Sequence, residues 1–168
     1  MVAEGSRVMR ECRIGSRLVG DGHPPLVIAE AGINHEGNVR KAIQLVDAAV
    51  AARADCIKFQ CHITEAEMTP TDMKPGKISD ERLWDIIKRC ELTEAEERRV
   101  QAHCAARGIL YLCTPFSREA VDRLERMGVA AFKIGSGECN NTPLVEHIAK
   151  KGKPILLWEM DGHPLGCG

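Results

Sequence analysis

LVIAEAGINHEG, residues Leu26–Gly37, is the stretch on which the fold turns. Its first part, Leu26–Ala31, reads as a short buried strand. The strand runs into a glycine-bounded turn, AGINHEG, carrying Asn34 and His35. A dinucleotide-binding fold wants GxGxxG here, directly after its first strand. The turn does not fit that spacing, although a helix does come after it. Asn38–Ala52 places Val39, Ile43, Val46, Ala49 and Val50 at helical spacing.

Outward from this stretch, strand and helix alternate. Asp55–Gln60 (DCIKFQ) is a second strand. Thr93 and Glu96 form a capping box at the head of a helix that closes at Gly108. Ile109–Cys113 (ILYLC) is a third strand, Ser117–Met127 a helix ending at Gly128, and Ala130–Ile134 a fourth strand. Thr142 as N-cap, Pro143 at the first helical position and Gly152 past the end bracket another helix. Pro154–Leu157 (PILL) is a fifth strand. Before the first strand, Cys12–Val19 has the pattern of a small hairpin. Such alternation with short apolar strands predicts a parallel α/β sheet, either an open doubly wound sheet or a (β/α)8 barrel. The long excursion Cys61–Cys90, with PTDMKPGK and the short helix ERLWDIIKRC, is the kind of βα loop from which barrel enzymes build sites. Locally the two folds read alike.

The 168 residues are enough for one domain with a real core, and 44% hydrophobic with 28% charged residues is a soluble globular balance. A net charge of −1 without a basic block argues against nucleic acid as a partner. No apolar run approaches the ~18 residues of a transmembrane helix, so no membrane association is expected. The first residues have no apolar signal core, which predicts a cytoplasmic protein. The eight cysteines show no CxxC spacing and read as buried free thiols.

Polar residues concentrate at the C-terminal ends of the strands, the edge where parallel sheets bind ligands in both candidate folds. The first strand ends in Glu30. The second carries Lys58 and Gln60, two apart and therefore on one face. The third ends in Thr114, and the fourth carries Lys133 and runs into Ser136 and Glu138. Two lysines with hydroxyls near glycines suit a phosphate or carboxylate. Two carboxylates and an amide suit a polyhydroxylated group or proton transfer. Each has a plainer role: Glu30 as an ion-pair partner of Lys58 or Lys133, Thr114 and Ser136 as helix caps, Asn34-His35 as a turn closure, His62 as an inert rim residue.

IAEAGINHEGN, KFQ, CTPFS and FKIGSGECNN together resemble the sialic acid synthase family: N-acetylneuraminate synthases and their legionaminate, pseudaminate and spore-coat relatives. The likeness covers roughly Cys12 to Leu157 and is nearest the bacterial N-acetylneuraminate branch. It implies a (β/α)8 TIM barrel, here an incomplete barrel of about five βα units, in a homodimer. It implies condensation of phosphoenolpyruvate with N-acetylmannosamine, assisted by a divalent metal (Mn2+ or Mg2+) whose ligands lie in later strands. By motif, Lys58, Thr114, Lys133 and Ser136 look like the phosphoenolpyruvate cradle. Gln60 and Glu138 look like amino-sugar contacts, and Glu30 like the carboxylate beside the reacting carbons.

The expected organisation is a 1–25 extension with the hairpin, a 26–157 barrel portion and a 158–168 tail outside the family pattern. After ILL the family continues STGM, whereas Trp158 and WEMDGHPLGCG stand here, as a frameshift, alternative end or truncation would leave them. His163 is no substitute metal ligand. Lys77, where relatives often have asparagine, bears on sugar preference, and Arg53 replaces a common glycine. The competing expectations are a non-catalytic fragment that at most binds a small phosphorylated ligand, and a related nonulosonate synthase for legionaminate or pseudaminate.

Overall fold

The structure, a computed structural model, describes residues 11–76 and 79–157. Lys77, Trp158, His163, Cys167 and the 158–168 tail lie outside the described residues.

A hairpin comes first. β1 (Glu11–Ile14) pairs antiparallel with β2 (Arg17–Gly20) across a turn in which Gly15 takes φ 58°. Five parallel strands come next: β3 (Ile28–Gly32), β4 (Cys56–Cys61), β5 (Leu110–Pro115), β6 (Phe132–Ile134) and β7 (Ile155–Leu157). β3, β4 and β5 form one parallel ladder and β6 and β7 another, with β6 lying against β5. Each strand is therefore beside its neighbour in chain order, with no reversal of the kind that marks a doubly wound sheet.

The connecting helices are α1 (Val39–Ala51), then α2 (Thr64–Glu67), α3 (Leu83–Cys90) and α4 (Glu94–Arg107) within the excursion between β4 and β5, then α5 (Arg118–Met127) and α6 (Thr142–Ala149). Their ends obey cap chemistry. Asn38 accepts from the backbone N–H of Arg40 and Lys41 at the head of α1, and Thr93 and Glu96 complete the capping box of α4. α4 and α5 both end on left-handed glycines, Gly108 and Gly128. One expected cap is corrected. Thr142 lies inside α6, and the N-cap is Asn141, whose side chain accepts from Leu144 N–H. Asparagine is among the strongest N-caps, so it displaces the threonine after it.

Strand alternation sorts the core into two layers. Ile57, Phe59 and Cys61 of β4, Tyr111 and Cys113 of β5, and Phe132 and Ile134 of β6 share one cluster. It includes Ala42, Val46 and Ala49 of α1, Val100 and Cys104 of α4, Val121 and Leu124 of α5, and Leu144 and Ile148 of α6. This is the outer, helix-covered side, where each fully buried large side chain contributes about 1.5–3 kcal/mol. The intervening positions, Cys56, Leu112 and Ala131 with Ile28, Leu110 and Leu156, form a second cluster with Ile14 and Val19 of the hairpin. Helices on one side only, and a hairpin closing the base of the other, describe an arc of barrel wall.

The seven described cysteines are free thiols, but burial is corrected for two of them: Cys12 is exposed on the hairpin and Cys139 is half-buried. Burial pushes Cys56 and Cys104 up to about 12 and raises Cys61 and Cys113 as well. Thiolate is the reactive species. Alkylation of the native chain at pH 8 should therefore mark exposed Cys12 and spare those four until the chain unfolds, as read by peptide mass mapping. Rapid marking of Cys56 would mean that the inner face is open to solvent.

Candidate active site

The inward positions change character along each strand. Near the hairpin they are apolar; toward the C-terminal ends they become Glu30 on β3, Lys58 and Gln60 on β4, Thr114 on β5 and Lys133 on β6. Register puts them level: Glu30 opposite Lys58, and Gln60 opposite Thr114. Together with Phe116, Gly135 and Ser136 they line a cavity of about 330 Å³, at the lower end of the ~300–1,000 Å³ of small-molecule sites. A cavity of similar size, about 320 Å³, opens at the opposite ends of the strands between Ser16, Gly108, Leu110 and Ala130, but among the described residues no Lys, Arg, Asp or Glu lines it. Chemistry, not volume, separates the two.

Six of the seven residues singled out from sequence thus meet at one cavity. Lys58 Nζ lies 2.5 Å from a Glu30 carboxylate oxygen; the lysine is mostly buried and the carboxylate is half exposed. A register shift between Glu30 and Gly32, with Gly32 at φ 51°, turns the chain at this rim. Lys133 is buried and donates to the carbonyl of Ile134. Burial first, and then the nearby charge of Lys58, hold its ammonium below the usual lysine range, with Cys139 and Glu30 opposing. The lining therefore sets two ammonium groups against one carboxylate.

Helix capping is not the role of Thr114 or Ser136. Ser117 caps α5 by accepting from Ala120 N–H, and Asn141 caps α6. Thr114 is buried in the cavity wall and Ser136 is exposed at its mouth, at the start of a 3-10 turn, Ser136–Glu138. Glu138 departs from the set. It is not among the cavity-lining residues, and its carboxylate accepts from Asn141 Nδ2 at 2.8 Å.

Two residues read as incidental are built in. His35 is buried and closes its turn by accepting from Gly37 N–H at Nδ1; burial, then the charge of His62, lower its pKa. His62 is no inert rim group: it is buried between Glu67 and Gln60. Phe116 and Glu67 escaped the sequence reading. The period-two run Lys58, Gln60, His62 was the available signal for the histidine.

Among the described residues no group of three or more His, Cys, Asp and Glu side chains stands ready to hold a metal ion. The one carboxylate lining the cavity is engaged by Lys58. These residues do not fit a divalent metal by themselves, and no catalytic step is assigned to one. Among the described residues no helix is long and apolar enough to cross a membrane.

A family model described as the NeuB family matches residues 45–158. The chain is 37% identical over 138 residues to an N,N'-diacetyllegionaminic acid synthase of Campylobacter jejuni, covering 79% of this chain and 41% of that protein. It is 33% identical over 145 residues to the N-acetylneuraminate-9-phosphate synthase of Homo sapiens, covering 84% and 40%. A solved sialic acid synthetase from Leptospira borgpetersenii, in complex with citrate, superposes with a TM-score of 0.77 at 29% identity, over 89% of this chain and 49% of that one. The chain thus spans about two-fifths of the length of these curated relatives. The arc of parallel strands is part of a (β/α)8 barrel wall, here with about five βα units.

Proposed function

The chain belongs to the NeuB family, and on that premise we propose that its cavity is the phosphoenolpyruvate side of a sialic acid synthase site. The observation that carries this reading is the convergence of two ammonium groups on one carboxylate at the C-terminal strand edge. Phosphoenolpyruvate brings a phosphate and a carboxylate, and a net positive, partly buried cavity favours such a multiply charged anion. Lys58 and Lys133 supply point charge to it. Thr114 and Ser136 supply hydroxyl donors of fixed direction.

The partner is N-acetylmannosamine in its open-chain form. C3 of phosphoenolpyruvate forms a bond to the aldehyde carbon, whose oxygen takes the C=O π pair and a proton; water adds its oxygen at C2 with loss of a proton, and the bond from C2 to the phosphate oxygen breaks. Phosphate leaves and C2 becomes a ketone. Lys58 and Lys133 hold the phosphate as negative charge gathers on it, an effect that strengthens toward the transition state. Glu30, half exposed beside Lys58, is the carboxylate available to take the proton of the attacking water. Gln60 faces the sugar. The divalent ion and the homodimer belong to the same proposal; the ion is seated by residues other than those described.

Calorimetric titration of the chain tests the reading. Phosphoenolpyruvate should bind at least tenfold more tightly than inorganic phosphate or pyruvate alone. Equal affinity for phosphate and phosphoenolpyruvate would leave only a general anion site. Competition between N-acetylmannosamine and the sugar precursors of legionaminate and pseudaminate then decides the finer substrate.

A further inference from the structure

Gln60 does not stand alone in the cavity wall. Its Oε1 lies 3.1 Å from Nε2 of His62, and Nδ1 of the same ring lies 2.9 Å from both carboxylate oxygens of Glu67. The side chains of His62 and Glu67 are 4% and 5% exposed. Phe116 stacks on the imidazole, centroids 4.4 Å apart and planes 17° from parallel. The parts come from different elements: Gln60 from β4, His62 just beyond it, Glu67 from the end of α2 and Phe116 from just after β5. Phe116 lines the cavity on one side and, with Glu67, a neighbouring recess on the other.

The placement of the Gln60 carboxamide sets which ring atoms donate. A carboxylate accepts, so Nδ1 of His62 carries a hydrogen toward Glu67. In the structure the Gln60 carbonyl oxygen is the atom that faces Nε2, an arrangement in which Nε2 donates as well. The Gln60 amide nitrogen then turns the other way, toward the Glu30 rim, 3.9 Å from where a Cβ on Gly32 would sit. A ring with a bare Nε2 would demand the reverse: the amide nitrogen toward His62 and the oxygen toward the cavity.

We propose that Glu67, His62 and Phe116 form a positioning device that holds the Gln60 carboxamide with its NH2 group turned into the cavity. The site then meets the amino sugar with a preset donor, and no side-chain freedom is lost at binding. His62 and Glu67 are positioning residues, because they act through Gln60. The assignment of the amino sugar as the ligand rests on the proposed function; the orientation of Gln60 does not.

The test uses the full chain, labelled with 15N in histidine rings and glutamine side chains. Both ring nitrogens of His62 should carry hydrogen, and Gln60 should give two separated, slowly exchanging amide proton lines. His62→Phe keeps a ring on Phe116 but cannot donate, and should move those lines to the solvent-exchanging pattern; His62→Gln, which can donate, should restore them in part. With saturating phosphoenolpyruvate, His62→Phe should weaken N-acetylmannosamine binding about tenfold and leave phosphoenolpyruvate affinity within about twofold. A bare Nε2, or Gln60 lines unmoved in folded His62→Phe, overturns the device. Should His62→Phe not fold, Glu67→Gln decides: the device requires Nε2 to lose its hydrogen and the Gln60 lines to shift. Failure of the wild-type chain to bind N-acetylmannosamine would sink the proposed function, while the spectra would still judge the device.

Discussion

Lys133→Met should weaken the proposed phosphoenolpyruvate binding about a hundredfold while the chain melts no lower than the wild type. The two effects have one cause. Lys133 is 5% exposed, and burial and the charge of Lys58 both disfavour its ammonium. A charged group kept in such a place costs folding free energy, and methionine of similar length removes that cost. An anion in the cavity reverses the balance, because it supplies the charge that a desolvated ammonium prefers to face. A charge-assisted hydrogen bond of this kind contributes about 1.5–3 kcal/mol, which is roughly a tenfold to hundredfold change in affinity, and lost long-range attraction places the result at the upper end. Titration calorimetry and thermal melting on the same samples give both numbers. A fall in melting temperature of several degrees with binding intact would make Lys133 a structural residue.

The pH dependence has a definite sign. The folded chain holds the Lys133 proton less tightly than the unfolded chain does, so stability rises with pH from the lowered folded pKa up to the ordinary value of about 10.4. Anion affinity runs the other way. It falls as pH rises through the lowered Lys133 pKa, and its decline begins below the ordinary lysine range. Lys133→Met abolishes both trends.

Gly37→Ala has the largest expected effect on stability, a loss of about 3–4 kcal/mol in urea unfolding. Gly37 has φ 73°, where an L side chain costs about 1–2 kcal/mol. A Cβ there would also lie 2.1 Å from the carbonyl oxygen of Arg89, near the end of α3. That neighbour is backbone, so relief requires the loop after β3 and the end of α3 to separate, an overpacking cost of about 1–3 kcal/mol. The same loop holds His35 against Phe59, so the strain reaches the helix layer. A loss under about 1 kcal/mol would show that the excursion between β4 and β5 yields easily.

Much of the wall was legible because strand chemistry repeats every second residue. Lys58 and Gln60 announced a polar face on an otherwise apolar strand, and Thr114 and Lys133 ended theirs in the same way. The side on which the helices pack was not legible. An amphipathic helix such as α1 reads the same over either face of a sheet, and strand order is set by pairings between distant segments. The cap of α6 was misplaced because Asn141 and Thr142 are adjacent residues that can both cap, and the stronger of the two takes the place. Glu138 drew attention by its place past β6, yet its carboxylate turns to Asn141, a contact made only once the 3-10 turn has formed. His62 and Glu67 are five apart and face each other because α2 folds back over the end of β4, a meeting that no short-range period encodes.

The two-layer sorting of the strands bears on how such a protein changes over generations. Residues that hold the wall to its helices and residues that line the cavity occupy alternate positions of the same strands. Thr114 faces the cavity while its neighbour Cys113 faces the helices. A lineage can therefore vary the cavity lining one side chain at a time while its scaffold stays unaltered. Insertion or deletion of a single residue within β4 has the opposite consequence, since it would drive Lys58 into the oily layer and lose cargo and scaffold together.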